Sequence, residues 1–333
     1  MKRVGIALCI ILLINACKQD TDSCLPGEEI TSIPVDVKIK RLEQTVSKLS
    51  EKDEFADFLA SHPLFAERFL SIDAYDSKDE LLDNMVALSS DPYMDTLFQE
   101  VNRVYPNLDQ LEDELTLAFQ HVKYYFPDFQ VPEVYTFVTG FGSDLYLDEE
   151  ILVIGLDYFL GPGAKYKVPN LPEYMASRYA APYIVPMIMQ ALSQRYNQVD
   201  PAQETLLAEM IFYGKAYHFT KAMIPCTPDS LIIGYTDQQV ADVVVNEELI
   251  WSYFVENQLI FSDNPTEITK FVGERPGTFE ISPECPGRIG RWLGWNIVDQ
   301  YVLNEEAFEV SDVMAESDAE KIFRLSKYRP RSR

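Results

Sequence analysis

Histidine is nearly absent: three residues, His62, His121 and His218, in a chain of 333. None has a partner at H-x-x-x-H spacing and H-E-x-x-H does not occur, so a histidine-based zinc peptidase site lacks its usual ligands. Each histidine stands alone, and a surface or capping role is expected for it. G-x-S-x-G is missing, which removes the nucleophile elbow of an α/β-hydrolase. G-x-x-x-x-G-K-[ST] is missing too, so there is no phosphate-binding P-loop. The five cysteines form no C-x-x-C, and neither a thiol redox pair nor a cysteine zinc site is supported. Beyond residue 17 no apolar run is long enough to span a bilayer. Positive charge is scarce as well: 28 Lys and Arg face 53 Asp and Glu, a formal charge of −25. Such an acidic body is a poor match for nucleic acid or an anionic lipid surface.

What is present begins at the N-terminus, MKRVGIALCIILLINAC. Lys2 and Arg3 precede a short apolar run, Val4 to Ile14, of signal-peptide length. Ile14-Asn15-Ala16-Cys17 has the form of a lipobox. Residues 1–16 are therefore read as a lipoprotein signal peptide and Cys17 as the first mature residue, carrying the acyl chains, palmitate among them. An acylated terminus holds a domain at a membrane, since each buried methylene adds about 0.8 kcal/mol. Removal of Lys2 and Arg3 takes the net charge from −25 to −27. Residues 17–34 are polar and read as a tether, and 35–320 as one domain with no convincing internal linker. Residues 321–333 form a basic tail, either a contact for a phosphate-bearing surface or simply a charged end.

Within the domain, Val35–Ile39 alternates apolar and charged residues as a half-buried strand does. Helical spacing follows from Leu42 to about Glu67 and again over 78–125. There Leu111, Leu115, Ala118, Phe119 and Val122 make one stripe, stopped by Pro127. Between 132 and 157 the residues become β-branched and aromatic, which predicts a small sheet. Helices resume at Tyr174–Arg178, Pro182–Tyr196, Pro201–Ala222, Gln238–Asn257, Pro265–Phe271 and Gly287–Val302. The expected class is α+β: mainly helical with one small sheet.

Three places could carry chemistry. Asp157 ends the apolar strand Ile151–Leu156 before a glycine-containing loop, and either faces a cleft or caps a turn. Gly214 lies inside a helix and costs about 1 kcal/mol relative to alanine, tolerable where another helix crosses closely. Beside it, Lys215 either faces solvent or reaches across to an acid such as Asp157 or Glu209. Gly290 and Gly294, four apart, also invite a close backbone. Arg288, Arg291, Trp295 and Asp299 fall roughly on one helical face, with Trp292, Leu293 and Ile297 on another. The first face suits a partner protein or an internal ion-pair network. Cys226 and Cys285 both sit in proline-rich joints, and a disulfide between them is one pairing the sequence allows.

These segments together resemble the gliding-motility lipoprotein GldB family of the Bacteroidota. The resemblance rests on Cys17, Ile154–Gly161, Met210–Phe219, Ile233–Thr236 and Pro286–Val298. It implies an envelope lipoprotein, outer membrane rather than inner, whose partners belong to the gliding and type IX secretion machinery. It implies no catalytic residue, no cofactor and no metal. The chain is also distantly similar to gluzincin-type metallopeptidases. On that likeness Pro182–Tyr196 stands for the helix that bears H-E-x-x-H, and Tyr213 for the third ligand, a glutamate. All three ligands are replaced here, and a shared fold supplies no function when its site residues are missing. The competing expectation is a hydrolase or peptide-binding protein with a cleft lined by Asp157, Tyr213, Lys215 and Arg291.

Overall fold

The computed structural model describes residues 24–304 and 309–330; the lipobox at Cys17 lies outside them. Its N-terminal part opens with a short helix, α1 (Glu28–Thr31), and strand β1 (Ile39–Arg41). Next come α2 (Leu42–Val46), α3 (Lys52–Ser61), α4 (Pro63–Arg68), α5 (Lys78–Ser89), α6 (Pro92–Val104) and α7 (Asp109–Tyr125). The stripe expected on α7 is buried in full, from Leu111 through Val122.

The expected strand at Val35–Ile39 shifts to Ile39–Arg41. Side chains of α7 hold the residues before it in place of a neighbouring strand. Val37 N–H donates to Thr116 Oγ1 at 3.0 Å, and Ile39 N–H donates to Glu112 Oε1 at 2.8 Å.

Strands β2 (Glu133–Phe137), β3 (Leu145–Leu147) and β4 (Ile151–Gly155) fill the region read as a sheet. The order is β1-β2-β4-β3, with β1 and β4 parallel to β2 and β3 antiparallel at the edge. Every residue of β4 is buried, as its unbroken Ile-Leu-Val-Ile run requires of a strand covered on both faces.

The rest is helical: α8 (Glu173–Ala176), α9 (Ile184–Ser193), α10 (Leu206–Met223), α11 (Asp229–Ile233), α12 (Asp237–Val245), α13 (Glu247–Glu256), α14 (Pro265–Val272), α15 (Ile289–Asn304), α16 (Val310–Ala315) and α17 (Ala319–Ser326). The chain is thus mainly helical with one small sheet, as expected. Gln238–Asn257 is two helices rather than one, broken at Asn246 after the β-branched run Val243–Val245. Residues 321–330 are not a free tail. Ile322 and Tyr328 are buried, and Tyr328 Oη donates to Glu247 Oε1 at 2.7 Å.

Two cores meet along α10. Phe219 and Met223 belong to the core around the sheet, while Leu206, Leu207, Met210, Ile211 and Tyr217 belong to the core of the C-terminal helices. A disulfide joins Cys24 to Cys226, across 202 residues, and pins the start of the described chain beside the end of α10. The Cys226–Cys285 pairing is thereby corrected. Cys285 is a free, buried thiol, pushed up to about 12 by burial.

Candidate functional site

The frame of the site is the crossing of α10 and α15. A Cβ on Gly214 would lie 2.3 Å from the carbonyl oxygen of Gly294, and one on Gly294 would lie 1.8 Å from that of Met210. Only glycine lets the two backbones approach this closely, which accounts for the helical glycine at 214. The crossing sends the neighbouring side chains to different places, so the six residues singled out in the sequence do not form one cleft.

Lys215 is buried, and its ammonium donates to the carbonyls of Gln198 at 2.8 Å and Glu316 at 2.7 Å. It pairs with neither Asp157 nor Glu209, and it does not face solvent. It ties the segment after α9 to the end of α16. Burial lowers its pKa to about 8, against the attraction of Glu316.

Trp295 is buried too, its ring 5.5 Å from that of Tyr217, so it is not on an open polar face. His218 Nδ1 sits 2.8 Å from Asp299 Oδ1, a half-buried pair. His121 is buried, not at the surface, with Nδ1 2.9 Å from the Leu117 carbonyl. His62 occupies the joint between α3 and α4, the capping position expected.

Asp157, in the sheet half, is almost fully enclosed. Its carboxylate accepts from the backbone N–H of Thr139 at 3.0 Å and of Phe141 at 2.6 Å, and from Thr139 Oγ1 at 3.1 Å. Gly140 and Phe141 both have positive φ, +65° and +63°, so the loop turns its donors inward. Burial raises the Asp157 pKa against the pull of these bonds. The carboxylate organises the connection between β2 and β3, a loop that precedes it in the chain, and Asp157 also borders a small pocket of about 70 Å³.

Tyr213, Arg288 and Arg291 do come together, and two further residues complete the group: Arg178 and Glu274. Glu274 Oε2 accepts from Arg178 Nη2 at 2.8 Å, and its Oε1 from Nη1 at 3.3 Å. The other two guanidiniums stand farther from it, Arg288 Nε at 3.6 Å and Arg291 Nη1 at 3.8 Å. Arg288 Nη2 donates to the carbonyl of Gly234 at 3.2 Å, and Arg291 Nε to that of Val272 at 2.6 Å. Arg291 also stands over the Tyr213 ring, its Cζ 3.9 Å from the centroid, a cation–π contact that holds the guanidinium in place. Burial would raise the Glu274 pKa. The hydrogen bond from Arg178 and the charges of Arg288, Arg178 and Arg291 outweigh it, and the carboxyl titrates below its usual range.

Arg178, Glu274, Arg288 and Arg291 line a pocket of about 200 Å³ with Met175, Tyr179, Tyr183, Met187 and Gln190, and Tyr213 stands behind Arg291 outside that lining. Three cations and one carboxylate leave a surplus of two positive charges in a chain that is otherwise strongly acidic. Arg178 comes from the turn after α8, far from α15 in sequence, and Glu274 from the loop that joins α14 to α15, and nothing in their local pattern marks either as a partner of the arginines. The available signal was the Arg288-x-x-Arg291 spacing, which calls for a carboxylate when both side chains are buried. Among the described residues, no group of three or more His, Cys, Asp and Glu side chains is placed to hold a metal ion.

Fold and site together define a mainly helical α+β protein built on a glycine-crossed helix pair, with a basic pocket beside the crossing. The family model described as gliding motility protein GldB matches residues 24–330, and the chain belongs to that family. Membership carries a role in gliding motility at the cell envelope. No curated protein and no solved structure matches the chain. Among the described residues no helix is long and apolar enough to cross a membrane.

Proposed function

We propose that this protein is a non-catalytic lipoprotein that scaffolds or stabilises the machinery of gliding and its linked type IX secretion. In this reading acyl chains on Cys17 hold it to the outer membrane, and the folded domain is the docking body. Residues 24–34, expected as tether, belong to that body through the Cys24–Cys226 disulfide, the buried Ile30 and the bonds from Gln120 to the carbonyls of Thr31 and Ile33. The observation that carries the reading is the family match over residues 24–330. Two features support it. The Cys24–Cys226 disulfide suits an oxidising compartment outside the cytosol. The basic pocket is a concave, charge-bearing surface of the kind that docks a partner of opposite sign.

Deleting the gene and restoring it either as it stands or with Cys17→Ser tests this reading. The deletion strain should divide but not spread on agar. The unaltered gene should restore spreading, and the Cys17→Ser protein should fail both to incorporate palmitate and to restore it. Normal gliding by the deletion strain contradicts the assignment.

A second reading, a peptide-binding protein that keeps a cleft, is favoured at one point. Met187 and Gln190, on the helix likened to the metallopeptidase helix, face the same pocket as Arg288 and Arg291. Asp157 and Lys215, which that cleft was expected to include, are both taken up by internal bonds.

A further inference from the structure

We propose that the pocket between α9, α11 and α15 receives the C-terminal carboxylate of a partner polypeptide. The proposal rests on the reading of this chain as a docking protein and names the chemistry that docks. Its first support is charge. Arg178 alone is hydrogen-bonded to Glu274, while Arg288 and Arg291 stand beyond hydrogen-bond distance of that carboxylate. Arg291 donates from Nε to Val272 and holds Nη1 in a long ion pair with Glu274, at 3.8 Å, so its Nη groups have capacity for a closer acceptor. A planar guanidinium held over Tyr213 is suited to take both oxygens of a carboxylate at once.

The second support is burial. Arg288 is 6% exposed and lines the pocket, with Nη2 on the Gly234 carbonyl and its guanidinium carbon 5.5 Å from the centroid of the Tyr235 ring, so the charge is held in place beside the cavity.

The remaining walls narrow the ligand. Gln190 lines the pocket, and with Nε2 donating to the Ile232 carbonyl at 2.8 Å its Oε1 is left as an acceptor. That acceptor calls for an N–H close to the anion. Met175, Tyr179, Tyr183 and Met187 supply apolar surface for a side chain. The pocket, about 200 Å³ and open on one side, has room for a terminal residue while the rest of a chain stays outside. A chain terminus offers the carboxylate, the adjacent amide N–H and one side chain within a single residue. Inorganic phosphate offers the negative charge alone.

The test uses the full-length protein in detergent, titrated calorimetrically with three probes. They are a mixed pool of N-acetyl tripeptides with free C-termini, the same pool amidated, and inorganic phosphate. The free-acid pool should bind about tenfold or more tightly than the amidated pool, the scale of one charged hydrogen-bonded contact. Arg291→Gln should remove that preference. Gln190→Leu should weaken the free-acid pool severalfold and leave phosphate unchanged. A thermal melt of each variant separates lost binding from lost fold. Equal affinity for the two pools overturns the proposal. So does phosphate binding as tight as the free-acid pool with Gln190→Leu without effect, or no binding by any probe. A deletion strain that glides normally defeats the gliding assignment and leaves these titrations standing, so the two failures are distinct.

Discussion

Asp157 in the sheet half and Glu274 in the helical half are both carboxylates set among donors, and they differ in what surrounds them. Asp157 meets backbone N–H groups and one hydroxyl, all neutral, and its bonds close a single loop. Glu274 meets three guanidiniums and hydrogen-bonds only one of them. The first site is saturated and the second is oversupplied with charge. Asp157 is enclosed, and leaving it unsatisfied would be costly, whereas a third of the Glu274 side chain reaches solvent. What separates them further is whether the groups around each carboxylate satisfy one another. Lys215 falls on the saturated side with Asp157, although it lies only two residues from Tyr213: its ammonium has two carbonyl partners and belongs to the architecture.

The comparison sharpens first at Asp157. Asp157→Ala leaves the Thr139 and Phe141 amides without their acceptor and should cost about 2–5 kcal/mol, read by denaturant unfolding. Gliding should fall only in step with the amount of folded protein. A folded Asp157→Ala protein that cannot support gliding would place Asp157 in the docking site after all.

Lys215 gives a pH test. Its folded pKa lies below that of the unfolded chain, so the unfolded state binds more protons between the two values. Stability should therefore rise as pH increases from about 8 toward the ordinary lysine range, by at most about 3 kcal/mol. Lys215→Met should abolish that rise and, by stranding two carbonyls, cost about 2–4 kcal/mol at neutral pH. A variant that keeps the rise assigns it to another group.

Glu274 titrates in the opposite sense. Its folded pKa is lowered, so its contribution is complete above the usual carboxylate range and disappears as pH falls through the lower folded value. Its side chain is 33% exposed, and solvent weakens the pairing. Glu274→Gln should cost about 1 kcal/mol at neutral pH and flatten the acid limb of the stability profile. Added phosphate should raise the midpoint of this variant more than that of the unaltered protein. An equal response in both would show that the three arginines hold no surplus charge.

Much of the frame was legible in the chain. The stripe on α7, the buried run of β4 and the spacing of Gly214, Gly290 and Gly294 each express one local rule, and each appears in the fold. The site was legible only in part, because its members meet through the tertiary structure. Arg288 and Arg291 share a helix end and could be paired by spacing. Arg178 and Glu274 reach them from loops about a hundred residues apart. Trp295 was misplaced because α15 is buried on more than one side, as Ile289, Trp292, Trp295 and Ile297 all show, and a helix packed all round has no open polar face. The Cys24–Cys226 bond has no local signal either, because its two halves lie 202 residues apart.

The central claim is that the arginine surplus serves the partner and not the fold. Arg291→Gln, carried on the full-length gene in place of the original, tests it most directly, with a thermal melt of the purified protein beside the spreading assay. The expected result is a folded protein that gives up about 1–2 kcal/mol, the worth of one charged hydrogen bond and its stacking contact, in cells that no longer spread. Cells that spread normally, or a protein that melts as early as Asp157→Ala, would contradict it.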